Sequence, residues 1–162
     1  MNRTAYLLVL CVSFLLAACE PQDRRPGTWL RGEVVETPIS DWTFSNEHME
    51  VFLQTHPWYG VPHSVTVVVG TNGDTLFVPS IYFQEPKRYP DGKYWNGIVD
   101  TNPDVEIKIG DQLFPRRIRL INDPAEFAVA LEALASKYDS WRNIQTNPDE
   151  APTYVLFALD ER

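Results

Sequence analysis

Cysteine is scarce in this 162-residue chain, which has two. That excludes a disulfide-rich scaffold and a four-thiolate zinc site. Positive charge is also short, with 14 Lys and Arg against 22 Asp and Glu and a formal net charge of −8. No nucleic-acid partner is expected, because such binding needs a basic footprint to release counterions. The chain has no Gly-x-Gly-x-x-Gly, no phosphate loop ending in Gly-Lys-Ser/Thr, no Gly-x-Ser-x-Gly elbow and no His-Glu-x-x-His. Each of these would point to a reaction class. There is no internal repeat and no low-complexity tract. Hydrophobic residues at 44% and charged residues at 22% are ordinary for one folded domain.

The longest apolar run lies at the start. Arg3 precedes Tyr6 to Leu16, which is too short to span a bilayer, and Leu16-Ala17-Ala18-Cys19 follows. This arrangement resembles a bacterial lipoprotein signal. The resemblance implies cleavage before Cys19, lipidation of its thiol and acylation of the new amine. Residues 1–18 are then a signal peptide, 19–28 a lipidated tether and 29–162 the domain. Cys11 leaves with the signal and Cys19 becomes the anchor, so no free thiol remains for catalysis or metal binding. Several acyl chains on one residue anchor stably where one would not. The expected location is extracytoplasmic and membrane-anchored. With Glu20 after the Cys, the resemblance places it on the outer membrane facing the periplasm in a host with two membranes.

Beyond the polar tether the pattern is β-like. Trp29 to Glu36 and Met49 to Thr55 read as strands. Ser64 to Gly70 and Thr75 to Ile81 flank Asn72-Gly73, a strong tight-turn signal that predicts a hairpin. Val105 to Ile109 and Leu113 to Ile121 flank Gly110-Asp111 and predict a second, with Val105, Ile107 and Ile109 on one face. Asp123, Pro124 and Glu126 predict a helix start. Phe127, Ala130, Leu131, Leu134 and Tyr138 then form an apolar stripe for core packing. Thr153 to Leu159 reads as a last strand. The expectation is a mainly β chain with one or two helices (β+α), a small barrel with an amphipathic helix packed on it.

Three clusters are candidates for chemistry. His56 and His63 bracket Trp58-Tyr59, which suits a metal site or an acid–base pair. Their spacing matches no standard ligand pattern, which favours a Pro-rich turn with two unrelated imidazoles. Glu85 to Asn96 interleaves Lys87, Arg88 and Lys93 with Tyr89, Tyr94 and Trp95. Cations beside flat rings suit a phosphorylated ring cofactor, a carbohydrate or a solvated loop. Arg116, Arg117 and Arg119 form a second basic cluster on a strand, with Arg117 and Arg119 on one face and Arg116 on the other. Acidic pairs such as Asp100 with Asp104, or Asp149 with Glu150, carry little weight in a chain with 22 acids.

The run from Lys93 to Gly110, with Trp95-Asn96 and Asn102-Pro103-Asp104-Val105, then an Arg-rich strand and Asp123-Pro124-Ala125-Glu126, resembles a known family. It is similar to the split β-barrel flavin- and deazaflavin-binding proteins, the pyridoxamine-phosphate-oxidase-like and deazaflavin-dependent nitroreductase families. The resemblance implies a six-stranded split β-barrel, commonly a homodimer, with a cofactor in a groove at the barrel edge or dimer interface. It implies FMN or a deazaflavin, with haem or no cofactor as alternatives. If the chain is an enzyme, the implied activity is a flavin- or deazaflavin-dependent oxidoreductase. The implied cofactor-binding residues are His63 and Ser64 at a strand start, and Lys93, Trp95 and Asn96. His63 and Lys93 would neutralise phosphate and Trp95 would wall the ring. No catalytic residue is assigned and no metal is expected. The phosphate segment departs from the family, because Gly60-Val61-Pro62-His63-Ser64 offers a single His for charge. A non-catalytic envelope binding or scaffolding protein is the alternative, and a glycan-binding module using Trp58, Tyr59, Tyr94 and Trp95 is a third reading.

The lipid anchor has a direct check. Intact mass of the chain extracted from membranes should correspond to residues 19–162 plus acyl chains, and Cys19→Ala should yield a form without acyl mass. An unacylated native chain would contradict the assignment.

Overall fold

The computed structural model describes residues 27–83 and 86–162. The signal segment and Cys19 lie outside the described residues. Among the described residues there are eight strands and three α-helices. The strands are β1 (Glu33–Val34), β2 (Val51–Thr55), β3 (His63–Val67), β4 (Gly70–Thr71), β5 (Leu76–Tyr82), β6 (Asp104–Ile109), β7 (Gln112–Leu120) and β8 (Thr153–Asp160). The helices are α1 (Tyr94–Thr101), α2 (Pro124–Lys137) and α3 (Asp139–Thr146). None of them is long and apolar enough to cross a membrane.

The strands form one sheet in the order β3-β2-β6-β7-β8-β5-β4, antiparallel throughout. β1 adds in parallel at Gln112 and Leu113, a stretch of β7 that β8 does not reach. β3 and β4 stand at opposite ends of that order, yet only Val68 and Val69 join them. A link of that length reaches roughly 10 Å. Seven strands laid flat would separate the two ends by roughly 29 Å. The sheet must therefore curl until its edges approach, and it forms an open half-barrel.

The curl encloses the main core. Leu53, Leu76, Val78, Ile107, Phe114 and Phe157 are buried inside it. The period of two in β6 holds, with Val105, Ile107 and Ile109 all in this core. A second core lies outside the sheet. There α2 and α3 cover Phe77, Leu156 and Ala158 with Ala130, Leu134 and Trp141. β5 and β8 are buried on both faces, which explains their continuous apolar runs. β4 lies so close to α2 that a Cβ on Gly70 would sit 2.8 Å from the backbone of Ala133 and Leu134. Only glycine lets the strand make that approach.

Several expectations need correction. Six strands were expected and eight are present; the two additions are two-residue strands, β4 at one sheet edge and β1 alongside β7. One or two helices were expected and three are present. α1 has no side-chain cap and contains Gly97 and β-branched residues, so its propensity is poor. It forms because Trp95, Ile98 and Val99 share a face that buries against the barrel. α3 follows α2 after Tyr138 and is held by buried Trp141 and Ile144. The predicted hairpin across Asn72-Gly73 is shorter than expected: only Gly70 and Thr71 pair with β5, while β3 pairs with β2. Buried Val69 diverts the chain between the two. The first expected strand shrinks to Glu33–Val34.

The second hairpin, the last strand and α2 match the expectation. Asp123 Oδ1 accepts from Glu126 N at 2.8 Å, and Pro124 takes the first turn. Glu126 does not return the bond. Its carboxylate accepts two bonds from Arg119, at 3.0 and 2.8 Å, and this pairing draws its pKa down.

Candidate functional site

An open groove of about 680 Å³ lies beside α1. Its walls are the β2–β3 loop with Pro57 and Trp58, the segment from Lys87 to Lys93, and the α1 residues Tyr94, Gly97 and Thr101. Gly92 arranges the cationic side. Its φ of +90° suits glycine, and a Cβ there would lie 2.8 Å from Lys87 Cβ and 3.2 Å from the Tyr82 ring. This close turn places Lys87 and Lys93 on the same groove. Lys93 precedes α1, with its Nζ 5.8 Å from the centre of the Tyr82 ring. Burial pushes its pKa below the usual lysine range.

Two aromatic rings face outward at this groove. Trp58 is 96% exposed and Tyr94 is also exposed. The Tyr59 and Tyr94 hydroxyls share a hydrogen bond of 2.8 Å, which ties the loop to α1. Phe83, 83% exposed, lines a smaller pocket with Lys87 and Lys93. These surfaces are large and apolar for positions open to solvent.

The five residues expected to bind a cofactor separate into different roles. Lys93 lines the groove. Trp95 is buried against Phe157, with ring centres 5.5 Å apart, and lines a pocket of about 190 Å³ next to Lys93. Trp58 and Tyr94, not Trp95, supply the aromatic groups that line the large groove. Asn96 is fully buried, donating to Ser80 Oγ at 3.0 Å and to the Tyr82 hydroxyl. Ser64 is buried, and its Oγ accepts from Gly27 N at 2.7 Å while its own N–H donates to Gly27 O at 2.9 Å. The hydroxyl expected to meet a phosphate thus holds Gly27 instead. His63 packs edge-on against Tyr94 at 5.1 Å, and its Nδ1 is buried without a hydrogen-bond partner. Desolvation lowers its pKa, which disfavours the charged form of the ring.

The other clusters separate as well. His56 Nε2 meets Glu106 Oε2 at 2.5 Å, so the two histidines around Trp58 turn to different partners. Among the described residues no group of three or more His, Cys, Asp or Glu is placed to hold a metal. Asp100 accepts from the Tyr89 hydroxyl at 2.9 Å, and Asp104 pairs with Arg117 at 3.1 Å. Arg119 pairs with Glu126 and Asp160. As the alternation predicts, Arg117 and Arg119 face solvent and Arg116 is buried. Arg116 lines a different cleft, so the arginine cluster does not join Lys93. Lys87 supplies the second cation instead. The positive φ at Gly92 gave no separate signal beyond its place in that cationic segment.

No family model matches the chain, and no curated protein matches it. Solved structures do. A protein described as a domain-swapped dimer is 19% identical with a TM-score of 0.56, over 70% of this chain and 81% of that one. An F420-H2-dependent reductase is 19% identical with a TM-score of 0.51, over 70% of this chain and 95% of that one. The haem storage protein HutZ from Vibrio cholerae is 16% identical with a TM-score of 0.50, over 74% and 85%. At these identities the likeness is one of fold. It agrees with a β+α half-barrel of the split-barrel kind.

Asn96 should act on stability before ligand binding. Asn96→Ala removes the buried amide that bonds the Ser80 and Tyr82 hydroxyls, a loss of about 1–3 kcal/mol. Urea unfolding of native and variant chains measures it, and an unchanged midpoint would contradict the structural role.

Proposed function

We propose that this protein is a lipid-anchored, extracytoplasmic split barrel that binds a flavin-type cofactor in the groove beside α1. The observation that carries the reading is the pairing of two lysines with two outward-facing aromatic rings around a groove of about 680 Å³. That volume falls within the ordinary range for small-molecule sites. Lys87 and Lys93 are the groups for a phosphate, and Trp58 and Tyr94 are the flat faces for a ring. Asp91 lies on the same rim and offsets one of the two positive charges. The fold is shared with proteins described as using F420-H2 and as storing haem.

Among the described lining residues there is no His, Cys or Met, and the Tyr94 hydroxyl is already bonded to Tyr59, which favours a flavin-type group over haem. A flavin or deazaflavin supplies hydride chemistry when bound. The chain's own part is to hold the phosphate and flank the ring. Lys93 has given up part of its hydration already, which strengthens its pairing with an anion. The Tyr59–Tyr94 bond keeps one wall in place. An oxidoreductase is the activity proposed for this site. Non-catalytic binding is the second reading, supported by the diversion of Ser64 and His63 from any phosphate cradle. The exposed Trp58 and Phe83 suit cover by a second copy of the chain, and a homodimer is proposed on that basis.

Titration of FMN into the mature chain, followed by quenching of flavin fluorescence, tests the site. Native protein should bind saturably, and Lys93→Ala should weaken binding about tenfold or more. Arg142→Ala, on the exposed part of α3, should leave it unchanged. Absence of saturable quenching, or equal binding by Lys93→Ala, would overturn the reading.

A further inference from the structure

The inner face of β7 carries Phe114, Arg116 and Ile118, all buried. A guanidinium between two core hydrophobes is unusual, since Arg is rarely fully buried without partners. Arg116 is 3% exposed. Its guanidinium carbon lies 5.0 Å from the Trp42 ring centre and 6.0 Å from that of Phe114. Nη1 donates to Pro115 O at 2.6 Å. Nη2 is buried and has no hydrogen-bond partner. Its ionic neighbour, Glu161 Oε1, stands 3.8 Å away, beyond hydrogen-bond distance, on a side chain that is largely exposed.

Burial penalises this cation and Glu161 offsets the penalty only in part. A buried donor without an acceptor is costly, and stable folds rarely leave one unexplained. Arg116 borders a cleft of about 320 Å³ together with Arg162, Glu36 and Glu161. Arg162 is held loosely, at 3.4 Å from Asp104 and 3.8 Å from Glu106. Two guanidiniums thus border one small polar cleft. The planar fork of an Arg matches the two oxygens of a carboxylate.

We propose that this cleft is a second binding site, separate from the groove beside α1, for a small monocarboxylate that accepts from Arg116 Nη2 and pairs with Arg162. Glu161 is the internal competitor for the same nitrogen. Its exposed side chain can swing outward at little cost and admit the ligand. Glu36 and Glu161 set the selectivity. They repel a doubly charged anion, so a singly charged carboxylate binds better than sulfate at pH 7.

Calorimetric titration of the mature chain with sodium acetate at constant ionic strength tests the proposal. Arg Nε–H resonances followed by NMR report which guanidinium responds. Native protein should bind acetate saturably with a shift at Arg116, and sulfate should bind several-fold more weakly. Glu161→Gln removes the competitor's charge and should tighten acetate binding about tenfold. Arg116→Lys should abolish it, and Arg117→Ala, on the outer face, should not change it. If circular dichroism shows that Arg116→Lys does not fold, Arg162→Gln serves in its place and should weaken binding several-fold. No saturable acetate binding in either the native chain or Glu161→Gln would overturn the proposal. Equal affinity in those two proteins would also overturn it.

Discussion

The two-residue link between β3 and β4 is the constraint on which the rest of this molecule depends. A flat sheet of this strand order cannot be joined by Val68 and Val69, so the sheet must curl. Curling makes an enclosed apolar core on one face and a second buried surface on the other. It also leaves the barrel open, and an open apolar barrel needs a cover. α1 is that cover. Its buried residues Trp95 and Val99 join the core, while Tyr94, Gly97, Ile98 and Thr101 form one wall of the groove. The groove thus lies on the element that closes the fold.

Polar groups in the barrel fall into two kinds. Some are fully engaged: Gln54 accepts from Leu30 N at 2.6 Å and donates to Glu106 at 2.8 Å, and Asn96 ties Ser80 to Tyr82. Lys137 belongs here too, donating to the carbonyls of Ser45 and His48 at 2.7 and 2.6 Å while burial lowers its pKa to about 8. These groups fix the geometry of loops and helix ends. Others have unused capacity: Lys93 at the groove, and Nη2 of Arg116 at the separate cleft.

Much of the scaffold was legible in the sequence because local signals and tertiary packing agree there. Gly110-Asp111 flanked by alternating β6 and β7, and Asp123-Pro124 opening α2, are cases of that agreement. The half-barrel was legible through element order. α1 was not, since its residues have poor helix propensity and only burial of Trp95, Ile98 and Val99 stabilises it. The shortened Asn-Gly hairpin escaped for a similar reason: the turn is local, but the pairing of β3 with β2 is a long-range choice. Among the candidate site residues, Lys93 was legible from its cationic, aromatic neighbourhood. The directions of Trp95 and Ser64 were not, because residue type alone does not say whether a polar or aromatic group faces the core, the tether or a ligand. Trp58 appeared in the sequence only as a glycan-binding candidate. The fold brings it next to Lys93 from 35 positions away.

The central claim is that the groove beside α1 holds a flavin-type cofactor in the native molecule. Its most direct test is the absorption spectrum of the chain purified from its native cells without added ligand. The account predicts visible or near-ultraviolet bands of a flavin or deazaflavin, released on denaturation as a small molecule bearing phosphate. A spectrum showing only the aromatic side chains, from protein purified intact and folded, would contradict it.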